Sequence, residues 1–258
     1  MFWPLTNTGR YINNPEAGPA PWLPESEFAA LDADMSLWRR ELPDFVEYSP
    51  DTIYARLDSN QLGGLMLIHS TYHHNYLELY KISMPELFRL HAASTFPPEH
   101  TEVLQALQAD CYFHARQIAR LVAEAAEHGT RLLSDSLLPF FLYDSSRAML
   151  YYVARLLDPD RVDAVERFRE AIGTVEENAR LLRTMAPLFP ISESFVSLNS
   201  SFKLRTRHAN PTRPSPLSAG FTRLDGVLET ASWAVHVPQK TSPVSKMWRC
   251  ELTLFLPS

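Results

Sequence analysis

The sequence predicts an all-α protein: an irregular helical bundle of about five to seven helices, followed by a poorly structured C-terminal tail. Three observations carry that expectation. Apolar residues recur at steps of three and four between residues 25 and 182, prolines sit between those periodic stretches, and glycine is scarce. The 258-residue chain holds 20 prolines, about 8%, but only 8 glycines, about 3%. Ordinary usages are ~5% and ~7%. So few glycines leave little for a Rossmann fingerprint, a Walker loop or a glycine-turned β-barrel, and none of those motifs is in the sequence. Apolar content of 45% and charged content of 21% are ordinary for a chain long enough to bury a sizeable core.

Five prolines fall in the first 24 residues, so residues 1–21 read as an irregular lead-in. The later prolines (Pro43, Pro50, Pro85, Pro97, Pro98, Pro139, Pro159, Pro187, Pro190) each remove a backbone donor and restrict the preceding residue, which marks helix boundaries or first turns. Residues 25–42 carry Phe28, Leu31, Met35, Trp38 and Leu42 at helical spacing. Residues 60–84 place Leu62, Leu65, His69, Tyr72, Tyr76 and Leu79 on one stripe, with Met66, His73, Leu77 and Tyr80 beside it. That helix is apolar over most of its circumference, which predicts a buried central position. The cleanest pattern is Leu104, Leu107, Cys111, His114, Ile118, Leu121, Ala125. Residues 140–157 follow with Leu142, Ser146, Met149, Val153 and Leu156 in register. Asp158-Pro159 reads as an N-cap and first-turn proline opening a helix with Val162, Val165, Phe168, Ile172, Val175, Ala179 and Leu182. On it, Glu176 and Arg180 are spaced for an i,i+4 ion pair.

The tail differs from this body. From Lys203 onward eight Lys/Arg face three acidic residues, a charge of +5, which leaves −11 for residues 1–202. An acidic body speaks against sequence-independent DNA binding, because phosphate neutralisation needs a basic face. Residues 203–258 are polar, basic and proline-broken, as in linkers and disordered segments, with Glu251–Leu256 as a lone strand at most. Lys203 to His208 could serve as a nuclear-import patch, although three basic residues in six are ordinary for a disordered tail. The first 14 residues have no basic region ahead of an apolar stretch, and no run is long enough to span a membrane. Two cysteines, Cys111 and Cys250, build neither a disulfide framework nor a thiolate zinc site, so reduced intracellular thiols are the expectation.

Residues 65–85, LMLIHSTYHHNYLELYKISMP, carry more than a period. Leu67, His69, Tyr72, His73, Leu79, Tyr80 and Pro85 match a Leu-His-x-x-Tyr-His helix with a Leu-Tyr-x-x-x-Pro exit. Upstream, Trp38 to Pro43 supplies a Trp-x-x-x-Leu-Pro element; downstream, Leu107–Val122 supplies a Cys/Ala-rich helix with an Ile-Ala pair, and residues 140–157 with Asp144-Ser145-Ser146-Arg147 supply the next helix. In these elements the chain resembles the fungal-specific transcription-factor domain, the middle homology region of Zn2Cys6 zinc-cluster regulators, over residues 22–202. The resemblance implies the C-terminal portion of a helical regulatory domain acting in RNA polymerase II transcription in the nucleus. It further implies no enzymatic activity, and partners among small-molecule effectors, transcriptional co-regulators and a second copy of the chain. The family reads DNA through a Cys-x2-Cys-x6-Cys repeat holding two zinc ions; that repeat is not in this sequence, so no cofactor is expected in the chain itself. Apolar pockets of helical folds form between helices, which makes Tyr72, His73, Tyr76 and Tyr80 the candidate lining of an effector pocket.

Rival constellations weigh less. His69, His73, His74 and Glu78 are spaced for a helical metal site, so an all-α metal-binding protein or enzyme using His69, His73 and Glu78 is one alternative. A metalloprotease helix needs Glu directly after its first histidine, where Ser70 stands, and histidines on an apolar stripe are more often hydrogen-bonded core residues. Cys111 and His114 share a stripe, but a reactive thiol needs an exposed, electropositive setting, so both read as core. Asp32 and Asp34 point apart on a helix and make no cation box. The charges of 158–183 read as a solvated face, and the sequon Asn199-Ser200-Ser201 has no secretion signal to give it meaning. A stand-alone helical interaction protein is the other alternative.

Overall fold

Helix α1 (Glu27–Arg40) begins at Ser26, whose Oγ accepts from the Ala29 backbone N–H at 3.1 Å, and it buries Phe28, Leu31 and Met35. The computed structural model describes residues 18–84, 87, 96–158 and 160–197. Most of the lead-in, Pro85, the sequon, the basic tail with its import patch, Cys250 and the strand at Glu251–Leu256 lie outside the described residues. Among those described, the chain is helical and contains no strand.

A 3₁₀ turn (Asp44–Val46) follows Pro43, and then comes a helix the sequence reading did not anticipate, α2 (Pro50–Asp58). Its start has every local signal. Ser49 caps the Thr52 N–H at 3.3 Å, Pro50 sits in the first turn, and Asp51 complements the positive end. Nine residues with one buried side chain, Ile53, are too short to display a period. Asn60, at φ 56°, turns the chain into α3 (Leu62–Tyr80), continued by a 3₁₀ turn at Lys81–Ser83. As its all-round apolar character predicts, α3 is buried on most sides. Helix α4 (Thr101–Glu127) buries Leu107, Cys111, His114, Ile118, Leu121 and Ala125 in the expected stripe. Gly129, at φ +127°, ends that stretch in a conformation only glycine adopts readily.

Helix α5 (Leu138–Tyr151) has Pro139 in its first turn and runs into a π-helical turn at Tyr152–Leu156, where the Leu157 N–H donates to the Tyr152 carbonyl at 2.8 Å. Helix α6 (Ala164–Met185) corrects one expectation. It starts after Asp163, not after Asp158-Pro159: Asp158 Oδ1 accepts from the Asp160 N–H in a local turn, and Val162 is fully exposed ahead of the helix. The Asp163 carboxylate takes Arg161 and Arg167 instead, which holds the new start in place. The guanidinium of Arg180 also forks onto Glu177, three residues earlier. A short α7 (191–197) closes the described region and buries Phe195.

Packing centres on α4, which lies against α3, α5 and α6, while α1 and α2 lie against α3. Ile118, Leu142, Met149 and Val153 are fully enclosed in the main core. A smaller cluster of Ile53, Leu62 and Leu65 seats α2 with Val46, Tyr48 and Leu132. No described helix is long and apolar enough to cross a membrane.

Candidate functional site

Every candidate lining residue named from sequence comes together where α1, α3 and α4 meet. Tyr76 stacks flat on His114, with centroids 4.3 Å apart and planes 12° from parallel. Tyr72 meets Tyr76 edge-on at 5.1 Å and stacks on Trp38 at 5.2 Å, and Tyr80 lies 5.5 Å from Tyr76. Helix α1 completes the polar side: the Tyr80 hydroxyl donates to Asp32 Oδ1 at 2.6 Å, and the Tyr76 hydroxyl shares a 3.0 Å hydrogen bond with Ser36. His73 Nδ1 and His114 Nδ1 are 2.8 Å apart. One of the two rings must carry a proton there and the other must accept, so both cannot be charged.

Burial, and then the neighbouring His114, holds His73 down at about 3; burial alone holds His114 at about 4. Both imidazoles are therefore neutral at pH 7 and too weak to serve as general bases there. Burial also raises the phenols of Tyr72 and Tyr80, with Tyr76 and Asp32 adding to each respectively. The reachable edge is formed by half-buried Tyr72 and His73 beside Phe113, which is 49% exposed; Tyr76 and Tyr80 support it from inside. Together these residues form a hydrogen-bonded aromatic wall.

The proposed metal trio His69, His73 and Glu78 is not assembled. His69 Nε2 donates to the Val46 carbonyl at 2.7 Å, which ties α3 to the turn before α2, and burial lowers its affinity for a second proton. His73 is committed to His114. Glu78 instead joins His74, one turn earlier, and Asp144 of α5, whose ligand-type atoms lie within 4.8 Å of one another. Lys81 is buried in the same place, donating to Asp144 Oδ2 at 2.9 Å and to Glu78. Burial penalises the Asp144 charge, yet Lys81, with His74 and Arg147 behind it, keeps the carboxyl well below its usual range. The same carboxylates outweigh burial at Lys81 and raise it. The ammonium is therefore a fixed cation and no nucleophile.

Sequence reasoning missed Asp144, Lys81 and Arg147 as a group because α3 and α5 are 63 residues apart along the chain at their contact. One signal was present: Asp144 is the only acid in the apolar run LPFFLYDSSRAMLY. Each polar residue of Asp144-Ser145-Ser146-Arg147 bridges outward. Ser145 donates to the Ala115 carbonyl at 2.7 Å, Ser146 accepts from Asn178 at 3.0 Å, and Arg147 donates to the Leu87 carbonyl at 2.6 Å. Cys111 is fully buried and its thiol is pushed up to about 12, chiefly by burial, which makes it a core residue as expected.

No family model matches this chain, and neither a curated protein nor a solved structure matches it.

Proposed function

We propose that the chain is a regulatory helical domain of a fungal zinc-cluster transcription factor, acting in the nucleus on RNA polymerase II transcription and reaching DNA only through a module outside this chain. One observation supports the reading above the others. Three of the four segments that resemble the family meet at a single point: Trp38 of the Trp-x-x-x-Leu-Pro element stacks on Tyr72, and His73 bonds His114 of the Cys/Ala-rich helix. The neutral histidines and the buried thiol fit a domain that senses or docks rather than one that catalyses. An effector in this reading is a small, largely apolar or aromatic molecule held at the Tyr72–His73–Phe113 edge.

The test is a tethered reporter. The chain is fused between a heterologous DNA-binding module and a strong activating segment and assayed in fungal cells across nutrient conditions. Regulation is expected as condition-dependent output that Tyr72→Ala and His73→Ala alter. Output that matches the fusion without the chain under every condition overturns the proposal.

A further inference from the structure

We propose that His74, Glu78 and Asp144 form a zinc-class divalent-cation site between α3 and α5 in which the Lys81 ammonium is the resident competitor. Two independent observations point there. Carboxylates from two helices already converge on one buried positive nitrogen, since Lys81 Nζ donates both to Glu78 and, at 2.9 Å, to Asp144 Oδ2. Beside them His74 is only 8% exposed; among the described residues its Nδ1 has no hydrogen-bond partner, and its Nε2 has only loose contacts with the two carboxylates. A buried imidazole ordinarily bonds through at least one nitrogen.

Its Nε2 faces the two carboxylates, 3.4 Å from Glu78 Oε1 and 3.6 Å from Asp144 Oδ2. In a tetrahedral ion with bonds of about 2.0–2.1 Å, neighbouring ligands stand ~3.4 Å apart. The imidazole is thus at ligand spacing from both oxygens before any ion arrives. Supporting contacts are also in place: Phe141 stacks on the His74 ring at 4.2 Å, and Arg147 Nη1 lies 3.7 Å from the other Asp144 oxygen. One imidazole nitrogen with two carboxylate oxygens suits zinc or cobalt better than calcium or magnesium, which prefer oxygen alone. Three protein ligands leave a fourth vertex for water.

Charge sets the occupancy. With Lys81 and Arg147 against Glu78 and Asp144, the cluster is balanced, so an ion has to displace the ammonium instead of joining it. Removing the lysine charge leaves a negative charge that an incoming cation neutralises in competition with a proton. Lys81 therefore tunes affinity, and the wild-type site is a weak one.

The experiment titrates zinc and cobalt(II) into the untagged full chain, as wild type, Lys81→Met and Lys81→Met/His74→Ala. K81M should bind one ion per chain, at least about tenfold more tightly than wild type, given the size of a unit-charge interaction at ~4 Å. Cobalt should give the visible absorption of a low-coordinate site, zinc should raise the melting temperature of K81M, and the added His74→Ala should abolish both. A folded K81M that takes up only substoichiometric metal overturns the proposal. So does uptake that His74→Ala leaves intact; the cluster is then an ion-pair latch only. Where K81M does not fold, wild type in excess cobalt is read against His74→Ala, and an absorption that His74 does not control is equally decisive against the site.

Discussion

His73 and His114 illustrate how much one buried contact governs. Unfolded, each imidazole titrates near 6.5, whereas in the fold they titrate at about 3 and about 4. As pH falls, the unfolded chain takes up protons first, so their contribution is complete above ~6.5 and drains away between ~6.5 and ~3. The loss should amount to a few kcal/mol, read as a falling urea midpoint from pH 7.5 to pH 4.5. The double substitution His73→Phe/His114→Phe should flatten most of that slope. His69, held down by burial in the same way, leaves a residual slope. Asp144 acts in a separate window: its carboxyl is held low, so its contribution is present above ~4 and is lost only below that. An unaltered slope in the double variant would show that the pair is not the source.

At the level of the helices, ends matter more than middles. Ser26 is buried and caps α1, so Ser26→Ala should cost about 1 kcal/mol and lower the melting temperature by roughly 2–4 °C, as calorimetry would register. Gly129 stands between α4 and α5 at φ +127° with nothing within 4 Å of where a Cβ would sit. Gly129→Ala should therefore cost about 1–3 kcal/mol from backbone strain alone, with no steric component. The long helices were legible because their apolar stripes run for many turns. Helix α2 was not, since a nine-residue element with Ile53 as its buried anchor has no period to detect. The displaced start of α6 has a different cause. Asp158-Pro159 and Asp163 are equally good local signals, and the two arginines Arg161 and Arg167 that engage Asp163 favour the later one.

Across the molecule, stability is concentrated where α4 meets its neighbours. Leu142 is fully enclosed there, so Leu142→Ala should cost about 2–5 kcal/mol in a single cooperative transition. Phe45, 65% exposed, should tolerate Phe45→Ser within about 0.5 kcal/mol, and equilibrium denaturation of both variants checks the contrast. The aromatic wall was legible in part for the same reason as the core. Tyr72, His73, Tyr76 and Tyr80 share one face of a helix, so their proximity follows from spacing. Their partners Trp38, Asp32 and His114 come from other helices, and although Trp38 and His114 lie on the apolar stripes, nothing local in the sequence announces which residues they meet.

The sequence by itself determined the helical class, the order of the long helices and the buried standing of α3, because those follow from periodicity and from where proline removes a donor. Only the tertiary structure decided which histidines meet which partners. His69 reaches a backbone carbonyl, His73 reaches α4, and His74 reaches the carboxylates, although the three lie within six residues on one helix. Adjacent positions on a helix point about 100° apart. His73 and His74 therefore face different helices, while His69, one turn before His73 on nearly the same face, meets the turn ahead of α2; what packs at each level of α3 assigned their chemistry.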